Sequence, residues 1–268
     1  MNITFVYCEG PHDVAFISKI LRSLDGFSNI RKKVSELPKE IAGIVSSAIK
    51  SIDLDKIRVD KPLDVFMPNQ IFQRNEDHYY LLYSMGGKNK LQATINNIDT
   101  SQYLLGSKIE QVAHLIIVDA DYEHLENGGL HATVTYINEQ FREFLPSPLE
   151  GKASTVKTDK FGYISLYVIT DPEGQQGTLE DILEGIIKPV SLVEPADNYC
   201  DQVIGSEIID KISRDPTKRQ KAKLTVISQA FHPGSSLAVG IYNEELINTG
   251  AINELACVDE LKAVLSTI

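Results

Sequence analysis

The sequence predicts an α/β domain: a mostly parallel sheet flanked by helices, with an insertion after the first helix. Two observations carry that expectation. Strand-like runs alternate with stretches of helical periodicity along the chain. The run His114-Leu115-Ile116-Ile117-Val118 is continuously apolar, as a strand covered on both faces must be, and it stops directly in Asp119-Ala120-Asp121.

The elements follow in order. Ile3 to Cys8 is β-branched and aromatic and reads as the first strand. Glu9-Gly10-Pro11 turns the chain, and apolar residues at helical spacing from Asp13 to Leu24 make a helix. Residues 25–75 are choppier, with Arg31-Lys32-Lys33, a short helix at Lys39 to Ser51 and prolines at 38, 62 and 68, and they form the insertion. Tyr79 to Ser84 is a second strand, stopped by Gly86-Gly87 and followed by a helix from Lys90 to Ile98. Beyond the His114 to Val118 strand come a helix at Ala132 to Leu145, a fourth strand at Tyr163 to Thr170 and a helix from Thr178 to Ile187. Helices are expected at Val203 to Ser213, Lys218 to Phe231 and Val258 to Leu265, with Pro233-Gly234 as a turn between the last two.

The 268 residues, 43% of them hydrophobic, are enough for one well-buried domain over 1–268. A net charge of −11 argues against coating nucleic acid by bulk attraction, because phosphates are repelled on average. Cys8, Cys200 and Cys257 are widely spaced, which fits neither a disulfide framework nor a zinc ribbon and is simplest in a reduced cytoplasm. The start of the chain lacks the features of a signal peptide, and no stretch is long and apolar enough for a membrane span. Nothing sets the oligomeric state; a dimer is admissible.

In Glu9-Gly10-Pro11-His12-Asp13, the four-residue offset puts two acids on the same side of a strand-to-helix junction. Alternatively Asp13 caps the helix while Glu9 faces water. In Asp119-Ala120-Asp121, alternate residues at a strand end face the same way, and two such carboxylates repel unless a cation or proton intervenes. A hard divalent ion resolves the conflict; the competing possibility is an acidic loop with Tyr122 and Glu123 as ordinary surface residues. His12 would touch phosphate or water, His114 is structural, and His232-Pro233-Gly234-Ser235-Ser236 is a turn without a nucleophile elbow.

A strand ending in Glu-Gly, an acid four residues on, and a later apolar strand ending in Asp-x-Asp together resemble a TOPRIM domain. Such domains occur in topoisomerases, bacterial primases, ribosomal-RNA maturases and OLD-type nucleases that partner an ABC-like ATPase. Thr178-Leu179-Glu180 is similar to the Ser/Thr-x-Glu motif of the OLD-type and maturase branch. A later lysine belongs to that pattern, for which Lys221 is the first candidate and Lys223 the second. The resemblance implies Mg²⁺ or Mn²⁺ as a pair of ions, one held by Glu9, Asp119 and Asp121 and the other by Asp13, Thr178 and Glu180, with Lys221 stabilising charge on the phosphate. Lys88, Lys90 and Lys223 would contact substrate phosphates, and Arg31-Lys32-Lys33 would extend the track; the alternative is solvated charges, the more common fate of short basic runs.

The implied activity is metal-dependent hydrolysis of phosphodiesters in DNA or RNA, in phage defence or nucleic-acid processing. No GxxxxGK[ST] loop is present, so an ATPase would be a separate chain. Two alternatives remain open: a non-catalytic nucleic-acid sensor or ATPase partner, and a nucleotide-sugar transferase using Asp-x-Asp. The transferase leaves the Glu9 to Asp13 segment without a role. A haloacid-dehalogenase-type phosphatase fits poorly, because its Asp-x-Asp belongs on the first strand.

Overall fold

Alternation of side chains along a pleated strand decides how this protein is layered. Strand β1 (Asn2–Cys8) is central, and Val6 and Cys8 join one buried cluster while Ile3, Phe5 and Tyr7 join another on the opposite face. The same division recurs in β4 (His78–Ser84), β5 (Gln111–Asp119) and β7 (Gly162–Ile169). All four strands are mutually parallel in the order β4-β1-β5-β7. Burial on both faces explains why their sequences are nearly continuous apolar runs.

The edges differ. Strands β2 (Phe27–Asn29) and β3 (Gln70–Arg74) extend the sheet beyond β4, and β6 (Ala153–Thr158) pairs with β7, all antiparallel. The full order is β2-β3-β4-β1-β5-β7-β6. Sequence patterning anticipates none of these three antiparallel strands: β2 has three residues, and β6 alternates Ser, Thr and Lys with few apolar positions. Segment 25–75 therefore supplies two strands of the main sheet.

This is a computed structural model, and it describes residues 1–50, 66–101, 108–172, 174–204 and 216–268. Helices α1 (Pro11–Ser23), α2 (Lys39–Lys50), α3 (Leu91–Ser101), α4 (Leu130–Gln140), α5 (Leu179–Ile186) and α6 (Val193–Ile204) come first. They are followed by α7 (Pro216–Phe231), α8 (Leu237–Ile241), α9 (Thr249–Asn253) and α10 (Ala256–Thr267). One sheet face is covered by α1, α5 and α7 to α10, the other by α2, α3 and α4. Helix α4 stops at Gln140, five residues before the expected Leu145, because Phe141 leaves the helical run and the chain turns through Phe144. The helix expected at Val203 to Ser213 lies beyond α6, mostly outside the described residues. Among the described residues no helix is long and apolar enough to cross a membrane.

From β1 the next parallel strand, β4, lies on one side, and the chain then crosses back to place β5 on the other. Strand order reverses at β1, so a crevice opens at the carboxyl ends of β1, β4 and β5, where ligands of open α/β sheets bind.

Candidate functional site

Glu9 is the first residue after β1, and its carbonyl accepts the Gly86 and Gly87 amides at 3.0 and 2.9 Å. That pins the exit of β4 beside it. Gly86 and Gly87 have φ of +79° and +122°, which L side chains rarely adopt, so the turn needs glycine twice. The Glu9 carboxylate Oε2 accepts the Asp119 amide at 3.2 Å.

Asp13 caps its helix and also lines the hollow at the strand ends. Its Oδ2 accepts the Gly10 amide at 2.7 Å and so caps α1, which has Pro11 at its first position. Its Oδ1 is buried with no hydrogen-bond partner among the described residues. Burial, then the charge of Glu9, pushes its carboxyl up to about 7.

Asp119 closes β5, and its Oδ1 accepts the Leu179 amide at the start of α5, 3.0 Å away. Burial above all, and then Asp13, Glu9, Glu180 and Asp121, holds it well above the usual carboxylate range. Burial also raises Glu9, with Lys88 opposing and Asp121 reinforcing. Glu180, on α5 and 2% exposed, has Oε1 3.3 Å from His12 Nδ1 and 3.8 Å from Lys221 Nζ, while its Oε2 is buried with no partner among the described residues.

Glu9, Asp13, Asp119, Glu180, His12 and Lys221 line one hollow of about 290 Å³, roofed by Gly86 and Gly87. Burial lowers the Lys221 ammonium's pKa, but Glu180, Asp119, Glu9 and Asp13 outweigh it and hold the group above its ordinary value.

The remaining candidates lie outside this hollow. Asp121 follows the end of β5 with φ +59°, so strand alternation no longer applies to it, and its Oδ2 meets Lys88 Nζ at 2.7 Å. Lys88 also donates to Thr133 Oγ1 at 3.1 Å. Lys90 is exposed and lies against Gly86, where an added Cβ would come within 3.2 Å of its Nζ. Thr178 is buried as the cap residue of α5, and its amide donates to Asp181 Oδ2 at 2.7 Å. Lys223 is paired with Glu184 and, at 3.3 Å, with Asp197. Arg31, Lys32 and Lys33 are exposed.

His114 is fully buried, stacked on Phe5 with ring centres 5.1 Å apart, and burial lowers its pKa to about 3. His232 sits in the expected turn and bonds Asn243 at 2.9 Å. Tyr122, Asp181 and Gln220 meet behind the hollow, a contact that sequence reading missed; the partners are 59 and 98 residues from Tyr122, and no local pattern announces them.

Four oxygen-donor side chains facing one hollow, two of them with buried oxygens that have no hydrogen-bond partner among the described residues, fit a hard divalent cation. Among the described residues no three Asp, Glu, His or Cys side chains already stand as a ligand shell, so binding would draw carboxylates inward.

The fold matches the crystal structure of a hypothetical protein from Pyrococcus horikoshii OT3, with TM-score 0.50, 16% sequence identity and 99% of each chain covered. No curated protein matches the chain. A family model described as "Protein of unknown function (DUF3226)" matches residues 4–265, and the chain belongs to that family.

Proposed function

We propose that this member of the DUF3226 family is a divalent-cation-dependent phosphodiester hydrolase acting on nucleic acid, with a TOPRIM-like site of the OLD-nuclease and maturase kind. The observation that carries the reading is the convergence of Glu9, Asp13, Asp119, Glu180 and Lys221 on one hollow at the carboxyl edge of the parallel strands. Perturbed carboxylates gathered in a crevice mark functional sites more often than structural ones.

Glu9, Asp13, Asp119 and Glu180 would hold Mg²⁺ or Mn²⁺, with Asp121 at the rim. When bound, such ions supply an acidified water and neutralise charge on a phosphate. The chain's own groups do the rest. Lys221, kept charged by its acidic neighbours, stabilises negative charge building on the phosphate. The glycine turn leaves room for a backbone to approach, and Lys90 lies beside it as a phosphate contact.

A second reading, a non-catalytic nucleic-acid sensor or partner of a separate ATPase, is favoured by the Lys88–Asp121 ion pair, which occupies one acid of the set. One experiment separates the two. Purified protein is incubated with plasmid DNA and with structured RNA in Mg²⁺ or Mn²⁺, alongside Glu9→Ala and Asp119→Ala. Hydrolysis is expected for the wild type and lost in both variants. Binding without cleavage under any cation supports the sensor, and equal cleavage by the variants exposes a contaminant.

A further inference from the structure

We infer that Tyr122 is a positioning residue: its hydroxyl ties the loop after β5 to α5 and α7 and thereby sets Lys221 opposite Glu180. The kinetic half of this inference rests on the hydrolase reading; the structural half does not.

The Tyr122 hydroxyl lies 2.9 and 3.0 Å from the two Asp181 carboxylate oxygens and 3.3 Å from Gln220 Oε1. Asp181 is the next residue after Glu180, and its Oδ2 accepts the Thr178 amide at 2.7 Å, fixing the first turn of α5. Gln220 precedes Lys221 on α7, and its Nε2 donates to Asp181 Oδ1 at 2.8 Å and Glu184 Oε2 at 3.2 Å. Three segments distant in sequence thus share one hydrogen-bonded knot, and both Glu180 and Lys221 leave directly from it.

Further cations anchor the rest of α7. Arg219 bonds Asp197 at 3.1 Å and Asp201 at 2.6 Å, and Lys223 pairs with Glu184 and Asp197, so these cations are tied to α5 and α6. Lys221 is held more loosely: its Nζ pairs with Glu180 at 3.8 Å, and its place depends on how α7 is rolled. The knot at Gln220 opposes rolling.

The loop is built to deliver the tyrosine. A Cβ on Gly128 would fall 1.9 Å from the Tyr122 carbonyl, so the returning chain passes close enough to fix that backbone. Burial, then the Asp181 carboxylate, keeps the phenol above its ordinary pKa and therefore a donor.

The test uses Tyr122→Phe, which keeps the ring and removes the bond, with Gln220→Met as the second variant. Amide hydrogen exchange of the cation-free protein is expected to rise at least several-fold in α7 and the first turn of α5 but not in α1. Exchange that is unchanged in α7 overturns the knot, whether or not the protein cleaves nucleic acid. In the cleavage assay Tyr122→Phe lowers kcat about ten-fold with KM unchanged, as a small misplacement of a charged group does. In a Lys221→Met background the same change has no further effect on kcat, because it acts through Lys221. Equal losses in both backgrounds overturn the positioning role. Should wild-type protein cleave nothing while exchange responds as stated, the hydrolase reading falls and the knot stands.

Discussion

Lys88 Nζ stands 2.7 Å from Asp121 Oδ2, bridging 33 residues, and this ion pair holds the second acid of Asp119-Ala120-Asp121 at the rim of the hollow that Asp119 lines. Asp119 is 5% exposed and the Asp121 side chain 25%, so two acids one residue apart sit in different dielectric surroundings. The cause is the left-handed conformation of Asp121, which ends strand alternation at that residue.

Removing Lys88 releases Asp121 and raises the negative charge around the hollow. Lys88→Met is expected to lower the Kd for Mn²⁺ several-fold by isothermal titration calorimetry, while stability changes by about 1 kcal/mol, the upper end for an ion pair still reached by solvent. An unchanged Kd would mean that Asp121 takes no part in cation binding.

Asp13 contributes stability to the cation-free protein that is lost as pH rises from about 4 to about 7. Asp13 has a folded pKa of about 7 against an ordinary carboxylate value near 4, so the folded state binds the extra proton in that window. The contribution is complete below the unfolded pKa and is lost as pH passes the folded one. Its size is at most about 4 kcal/mol for a three-unit shift. Urea unfolding of wild type and Asp13→Asn at pH 5 and pH 8 isolates it from the groups distant from Asp13, which titrate alike in the two proteins. Asp13→Asn, which can still accept the Gly10 amide, should flatten the slope, and Mn²⁺ should restore wild-type stability at pH 8; equal slopes in wild type and variant would count against the burial argument.

His114 works in the opposite direction. Its folded pKa of about 3 lies below the ordinary histidine value, so its contribution is present above about pH 6.5 and is lost as pH falls toward 3. Its ring resonances in NMR should show no titration between pH 8 and 5. A midpoint near 6.5 would show the ring to be solvated.

Two glycine substitutions should have opposite signs. Gly177 has φ +114°, its added Cβ would lie 2.6 Å from the Asp171 amide nitrogen, and its backbone pairs with Asp121 through two bonds of 2.9 Å. Gly177→Ala is expected to cost about 2–4 kcal/mol and to displace the start of α5. Gly185 lies in α5 with nothing within 4 Å of an added Cβ, so Gly185→Ala should gain about 0.5–1 kcal/mol. Thermal melts of the pair check both.

Local periodicity made β1, β4, β5 and β7 legible, because a strand covered on both faces must be apolar at every position. It missed β2 and β6, the two edges of the sheet, and β3 between β2 and β4, because their short sequences with interspersed polar residues resemble loops. The choice between Lys221 and Lys223 turns on the same limit. Two residues apart on α7, they differ by roughly 200° around the axis, and only the packing of α7 on α5 and α6 sends one to the hollow and the other to Glu184 and Asp197.

The sequence by itself determined the α/β class, the central strands and the placing of Glu9 and Asp119 at strand ends, since each follows from residues within one or two turns of one another. Tertiary structure alone decided that Asp13 both caps a helix and lines the hollow, that Lys88 takes Asp121, and that Tyr122 meets Asp181 and Gln220. These are contacts between residues that come close in space only after the sheet has assembled, and no spacing along the chain encodes which of several similar side chains will arrive.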